Sequence, residues 1–242
     1  MSLNKNSNLY VFLFSAGVTA IVGIALAVAA TSLKERQEKN IALEKKGQIL
    51  SAVGFTGQKS KIETAYQEYI TPKAISPKGK ELEGVDPFDL VPEEQQKIAM
   101  KNPSESALPL YVFEKDGDKC YILPLVGKGL WGPISGYLAI EKDLKTIRGV
   151  TFDHESETPG LGAEITTEWF QEQFENKKIR NDKQFTSVEV LKGTGNNLDA
   201  YSVDGISGAT ITAKGVDKML REDIQMYLPY FENAQNVKIS KL

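Results

Sequence analysis

The residues with the densest chemical potential are Asp204-Gly205-Ile206-Ser207-Gly208-Ala209-Thr210-Ile211-Thr212. They stand just before an amphipathic run, from about Ala213 to Phe231, in which Val216, Met219, Leu220, Ile224, Tyr227 and Leu228 repeat near the helical period. Small residues here let a bulky group come close to the backbone. Thr210 and Thr212 offer hydroxyls. The free amides and positive dipole end of the helix that follows favour a phosphate. The same residues also fit ordinary Asp-Gly and Ser-Gly turns with a threonine N-cap. On residue types alone both readings stand.

Composition narrows what else the chain can do. It has one cysteine, Cys120, and one histidine, His154. An internal disulfide, a four-cysteine cluster and a two-histidine metal site are therefore excluded within it. Redox work would fall to an organic cofactor or to a partner's metal. His154 alone is assigned no role. A net charge of −3 lacks the basic surplus of a nucleic-acid binder. No GxGxxG fingerprint follows a strand pattern, so NADH binding is not expected in this chain.

The elements that must position the threonines begin with an apolar run, Leu9 to Ala30, in a stretch with no charge between Lys5 and Lys34. It is long enough to cross a hydrocarbon core of roughly 30 Å as a helix. Ser15 and Thr19 can bond back to that helix, and Gly17, Gly23 and the alanines permit close helix packing. Ala27-Val28-Ala29 resembles a signal cleavage site, but the run exceeds the usual h-region of about 7–15 residues. It reads as a retained anchor. Lys34, Arg36, Lys39, Lys45 and Lys46 follow it, which by charge alone puts the large domain in the cytoplasm.

Beyond the span, residues 32 to about 53 read as a helix interrupted by Gly54 and Gly57, and 60–71 as another. The Pro- and Gly-rich stretch 72–107 reads as a connecting segment, with one short helix from Pro92. Strands follow: two around an Asp116-Gly117 hairpin turn, then SGYLAIEKD and IRGVTFDHE. Residues 163–175 read as a helix with Ile165, Trp169, Phe170 and Phe174 inward, and 185–192 as a strand. The expected class is α+β: one N-terminal transmembrane helix, then an antiparallel sheet with flanking helices. The expected divisions are a tail at 1–8, the span at 9–31, a connecting segment packed on the domain at 32–107, and the main domain at 108–242.

Three ordered motifs carry a family resemblance. Asp204 to Thr210 matches D-x-x-S/T-G-A-T, Gly127 to Pro133 contains GLWGP, and Glu157 to Gly162 reads ETPGLG. With these, and over nearly its whole length, the chain resembles the C-subunit family of sodium-translocating NADH:quinone reductases (Nqr). The G-subunit family of the Rnf complexes is a near relative. The resemblance implies one FMN, attached by a flavin transferase through a phosphoester to Thr210. It implies contacts from Ser207, Gly208, Ala209 and Thr212 in the same segment. It also implies Leu130 and Trp131 on the flavin ring, and Glu157, Thr158 and Leu161 in the second loop. Lys192, at the end of a candidate strand, would offset negative charge. Trp131 could equally be core, and Glu157 a loop-orienting or solvated carboxylate.

The implied activity is electron relay within a bacterial inner-membrane complex whose other members oxidise NADH, reduce ubiquinone and export sodium. The implied orientation is periplasmic, against the charge count. The alternatives are a component of an Rnf-type complex, a membrane-tethered binding module without cofactor, and a stand-alone flavin reductase.

Overall fold

The structure is a computed structural model and describes residues 7–181 and 184–239. Most of the tail expected at 1–8 lies outside the described residues. The chain divides into two compact units, Met1–Lys45 and Lys46–Leu242. The first is the greater part of helix α1 (Asn8–Ser51), which continues into the second. Its 44 residues extend about 66 Å at about 1.5 Å per residue, roughly twice a hydrocarbon core. Its apolar half is exposed along its length, and it is long and apolar enough to cross a membrane. The expected span and the expected helix after it are thus one continuous helix.

In the second unit the last turn of α1 buries Ile49 and Leu50. A short 3-10 turn leads into α2 (Ile62–Tyr69), then β1 (Ile70–Ile75), β2 (Glu81–Leu82) and α3 (Pro92–Lys101). There follow β3 (Leu108–Lys115), β4 (Asp118–Lys128), β5 (Pro133–Glu141) and β6 (Ile147–His154). A 3-10 segment (Gly162–Thr166) and α4 (Glu168–Glu172) come next, then β7 (Glu189–Val190), β8 (Ser202–Val203) and α5 (Thr210–Ile239). The main sheet runs β2-β1-β3-β4-β5-β6, antiparallel throughout, and β7 pairs with β8 in parallel. Asp116 (φ 52°) and Gly117 (φ 83°) both adopt positive φ between β3 and β4, the type I′ turn that suits a two-residue hairpin.

Both faces of this sheet are buried, so its strands are apolar on both sides. Leu110, Val112, Leu123 and Leu125 point into one core with α5. Tyr111, Phe113, Cys120 and Ile122 point into the other with α2 and Leu50. Tyr227 donates its hydroxyl proton to the Pro109 carbonyl at 2.8 Å in the first core. Met219, Leu220 and Ile224 on α5 are buried there too, each contributing about 1.5–3 kcal/mol by leaving water. Between α5 and β4 the approach is closer than side chains allow. A methyl group at Gly127 would meet the Met219 side chain at 2.9 Å, and one at Gly215 would strike the Lys128 carbonyl.

Four expectations are corrected. The segment from 72 to 107 is not strand-free: most of β1 and all of β2 lie in it, and β1 pairs with β3 along its whole length. Pro72 is tolerated because β2 reaches only the far end of β1, at Ala74 and Ile75. Residues 163–175 are not one helix but the 3-10 segment followed by the five-residue α4. Trp169 does not face inward and is half-exposed, while Ile165, Phe170 and Phe174 are fully buried. Of the strand expected at 185–192, only Glu189–Val190 forms one, because its partner β8 is equally short.

Asp223 on α5 is buried and accepts hydrogen bonds from the Val126 amide at 2.7 Å and Gln96 Nε2 at 2.8 Å. It thereby ties α3, β4 and α5 together. Burial pushes its carboxyl up to about 7, against the pull of those two hydrogen bonds. The folded chain then holds a proton that the unfolded chain releases from about pH 4 upward, so stability from this group is complete below pH 4 and is lost as pH rises to about 7. Asp223→Asn, with the Gln96 amide turned to accept, should therefore gain in Tm relative to the native chain as pH is raised from 4 to 8. A Tm difference flat across that range would contradict this. Cys120 is fully buried and burial pushes its thiol up to about 12, so a thiol reagent at pH 8 should label it only after denaturation. Rapid stoichiometric labelling of the folded protein would contradict its placement.

Candidate functional site

Three loops meet at the N-terminal end of α5. The first joins β4 to β5, and the Gly129 amide donates to the Gly132 carbonyl at 2.9 Å to close it. The second follows β6, where the amides of Leu161 and Ala163 both donate to the Thr158 carbonyl at 3.1 Å. The third is the entry to α5. Gly208 takes φ +81°, a conformation that favours glycine, and the Ala209 amide donates to the Ile206 carbonyl at 3.1 Å. The first bond into the helix is from the Ala213 amide to the Ala209 carbonyl at 3.0 Å. The amides of Thr210, Ile211 and Thr212 precede it and lie outside the helical ladder.

Together the loops line a cavity of about 410 Å3, with Leu130 and Trp131 from the first, Glu157, Thr158, Leu161 and Gly162 from the second, and Gly208 to Thr212 from the third. Trp131 is 67% exposed, so it is not a core residue. Leu130, Leu161 and Ile211 are also exposed large apolar side chains. The rim is therefore apolar while the floor at α5 is rich in amides.

Glu157 is the buried charge of the site, 5% exposed. Its Oε1 accepts from the Trp131 amide at 2.8 Å and its Oε2 from the Thr212 hydroxyl at 2.7 Å. Burial works to raise its carboxyl, but the Thr212 hydroxyl and the amides of Trp131, Gly132 and Leu130 outweigh it and hold the group below the usual range. The slot it fills is shaped by missing side chains. A methyl at Gly129 would strike Oε1, and one at Gly162 would strike Oε2 and approach Thr212 Oγ1 to 2.8 Å. The glycines of two separate motifs thus make room for one carboxylate.

The two threonines differ in situation. Thr212 is buried and its proton is committed to Glu157. Thr210 is partly exposed, and its hydroxyl has no hydrogen-bond partner among the described residues. Lys192 does not line this cavity. It borders a small recess on another side of Thr210, together with Lys214. Lys214 was missed in the sequence, although it lies four residues after Thr210, one turn along the same helix face. Ser207 is exposed and Ala209 is buried beneath the entry turn. Asp204 also has a structural task that residue type alone did not reveal. Its carboxylate accepts from the amides of Gly195 at 2.9 Å and Asn196 at 3.0 Å, fastening the loop that follows Lys192. Those bonds, Asn196 first, hold its carboxyl below the usual range. The Glu157 amide donates to His154 Nδ1 at 3.3 Å, so His154 borders the second loop without entering the cavity.

These residues fit a flavin mononucleotide. The cavity falls within the range of small-molecule sites, about 300–1,000 Å3. Amides outside the helical ladder and two lysines suit a phosphate, and the exposed indole and leucines suit a planar aromatic system.

The comparisons with known proteins agree. Residues 129–225 match the family model of the FMN-binding domain, a stretch that holds all three loops. The chain is 30% identical to the C subunit of the Na(+)-translocating NADH-quinone reductase of Haemophilus ducreyi, over 84% of each chain. It is 29% identical to that of Vibrio alginolyticus, over 83% of this chain and 84% of the relative. The crystal structure of the same protein from Parabacteroides distasonis superposes with a TM-score of 0.71 at 38% identity, covering 82% of this chain and 96% of that one. The chain belongs to the C-subunit family of the Na(+)-translocating NADH-quinone reductases.

Proposed function

We propose that this protein is a single-pass membrane flavoprotein that carries FMN as a phosphoester on Thr210 and relays electrons between neighbouring centres of a sodium-translocating NADH:quinone reductase. The observation that carries the reading is the contrast between the two threonines. Thr210 is partly exposed and its hydroxyl has no hydrogen-bond partner among the described residues, beside amides that suit a phosphate, whereas Thr212 Oγ1 is tied to Glu157. The span is residues 9–31. The flavin-carrying domain is built on 108–242, with the segment before it adding β1 and β2 to the sheet. The domain faces the periplasm, as the family resemblance implies.

Attachment needs an activated donor, because FMN alone has no good leaving group on phosphorus. Flavin adenine dinucleotide supplies one. Thr210 Oγ1 forms the bond to the FMN phosphorus, its proton passes to a base on the flavin transferase, and the pyrophosphate bond breaks with AMP leaving. No oxidation or reduction occurs in this step. Glu157 is not the base: its two oxygens are engaged by the Trp131 amide and by the hydroxyl of the other threonine.

Once bound, FMN supplies reversible one- and two-electron transfer. The chain's own residues do the rest. The amides at the start of α5, with Lys192 and Lys214, offset the phosphate charge. Leu130, Trp131 and Leu161 keep water from one side of the ring. Electron partners are the other members of the complex, which oxidise NADH and reduce ubiquinone.

Intact mass of the chain co-produced with a flavin transferase tests this directly. The native chain should gain the mass of one FMN with loss of water, and Thr210→Ala should gain nothing. A native chain that stays unmodified, or a Thr210→Ala chain that is still modified, would overturn the attachment.

A further inference from the structure

We propose that Glu157 is the positioning residue of this site. Its carboxylate joins the Leu130–Gly132 turn to the first turn of α5, and this tie, rather than contact with the cofactor, sets how Thr210 is presented for modification and how the bound ring is held. The inference rests on the flavin-carrier reading and deepens it.

Glu157 sits on one loop but spends its bonds on the other two. Oε1 takes the Trp131 amide and Oε2 takes the Thr212 hydroxyl. Among the described residues no main-chain hydrogen bond joins the Leu130–Gly132 turn to the first turn of α5. The turn after β4 closes on itself through Gly129 and Gly132, and α5 begins its own ladder only at Ala213. The carboxylate is the strut between them.

Three features show that the strut is built in. The side chain is buried, so its charge is retained only because donors surround it. Gly129 and Gly162 lack the methyl groups that would come closer than van der Waals contact to its two oxygens. Gly208, whose added methyl would approach Leu161 at 2.8 Å, seats the entry of α5 against the loop that carries Glu157. With both oxygens engaged inward, little of the carboxylate is left to face a ligand. Thr212 lies two residues from Thr210 on one helical turn. Fixing the Thr212 hydroxyl therefore fixes the rotation of the turn that presents Thr210.

A direct-contact role and a positioning role differ in what Thr212 does. If Glu157 acts through Thr212, removing either end of that bond has the same result, and removing both adds nothing. The test uses the full chain in detergent with flavin transferase and flavin adenine dinucleotide, well below each variant's Tm. The readouts are the initial rate of covalent flavin addition, followed by in-gel flavin fluorescence, and the visible circular dichroism of the labelled chain.

Glu157→Gln and Thr212→Val should each slow labelling about tenfold or more, the scale of losing a hydrogen bond to a charged group. The double variant should be no slower than the slower single variant. Thr212→Ser, which keeps the donor, should label within about twofold of the native chain and keep its dichroism, again judged against that bond energy. If Glu157→Gln does not fold, the contrast between Thr212→Val and Thr212→Ser decides alone.

Native-rate labelling of Thr212→Val with unchanged dichroism overturns the proposal, as does a Glu157→Gln defect that Thr212→Val does not share. An unlabelled native chain overturns the flavin-carrier reading and this proposal together. A labelled native chain with native-rate Glu157→Gln overturns this proposal alone.

Discussion

The close crossing of α5 over β4 sets where everything else can be. At Gly215 the helix meets the backbone of Lys128, at Gly127 the strand leaves room for the Met219 side chain, and Leu220 and Ile224 fill the core beside that contact. A helix seated so tightly cannot slide along the sheet without driving backbone into backbone. Its first turn therefore lies beside the turn that leaves β4, within reach of the Glu157 carboxylate. This seating brings amides outside the helical ladder, a hydroxyl and an exposed indole to one end of the sheet, where Glu157 ties them together.

The other constraint is that the sheet is covered twice. Each central strand must offer apolar side chains in both directions, and β3 and β4 do so almost without interruption. This made the four long strands and α5 legible from sequence, since continuous apolar runs around an Asp-Gly turn leave few alternatives. The same constraint hid β1. Its sequence, Ile70 to Ile75, is short and contains Pro72, and only its pairing with β3 makes it a strand. The short elements between β6 and α5 were misread for a related reason. Trp169 stands four residues after Ile165 and Phe174 four after Phe170, but a five-residue helix has too few turns for periodicity to say which side faces in.

At the site, the residue types and their order revealed which loops matter. They did not reveal how the loops are joined. Glycine in a sequence announces a turn, and both GLWGP and ETPGLG read as turns. That Gly129 and Gly162 instead leave space for the same carboxylate depends on two segments about thirty residues apart approaching within van der Waals distance, which no local pattern encodes. The difference between Thr210 and Thr212 is hidden in the same way. As neighbouring hydroxyls they look equivalent, and only the position of Glu157 separates them.

The slot shared by Gly129, Gly162 and Glu157 also limits how such a chain can change over generations. A methyl at either glycine would force the carboxylate oxygens to shift, and a lost acid leaves Thr212 and a row of amides without their acceptor, so the three positions bear on one another. Drift through this site should favour paired replacements. The three positions are expected to be inherited as one character, although the sequence separates them into two motifs.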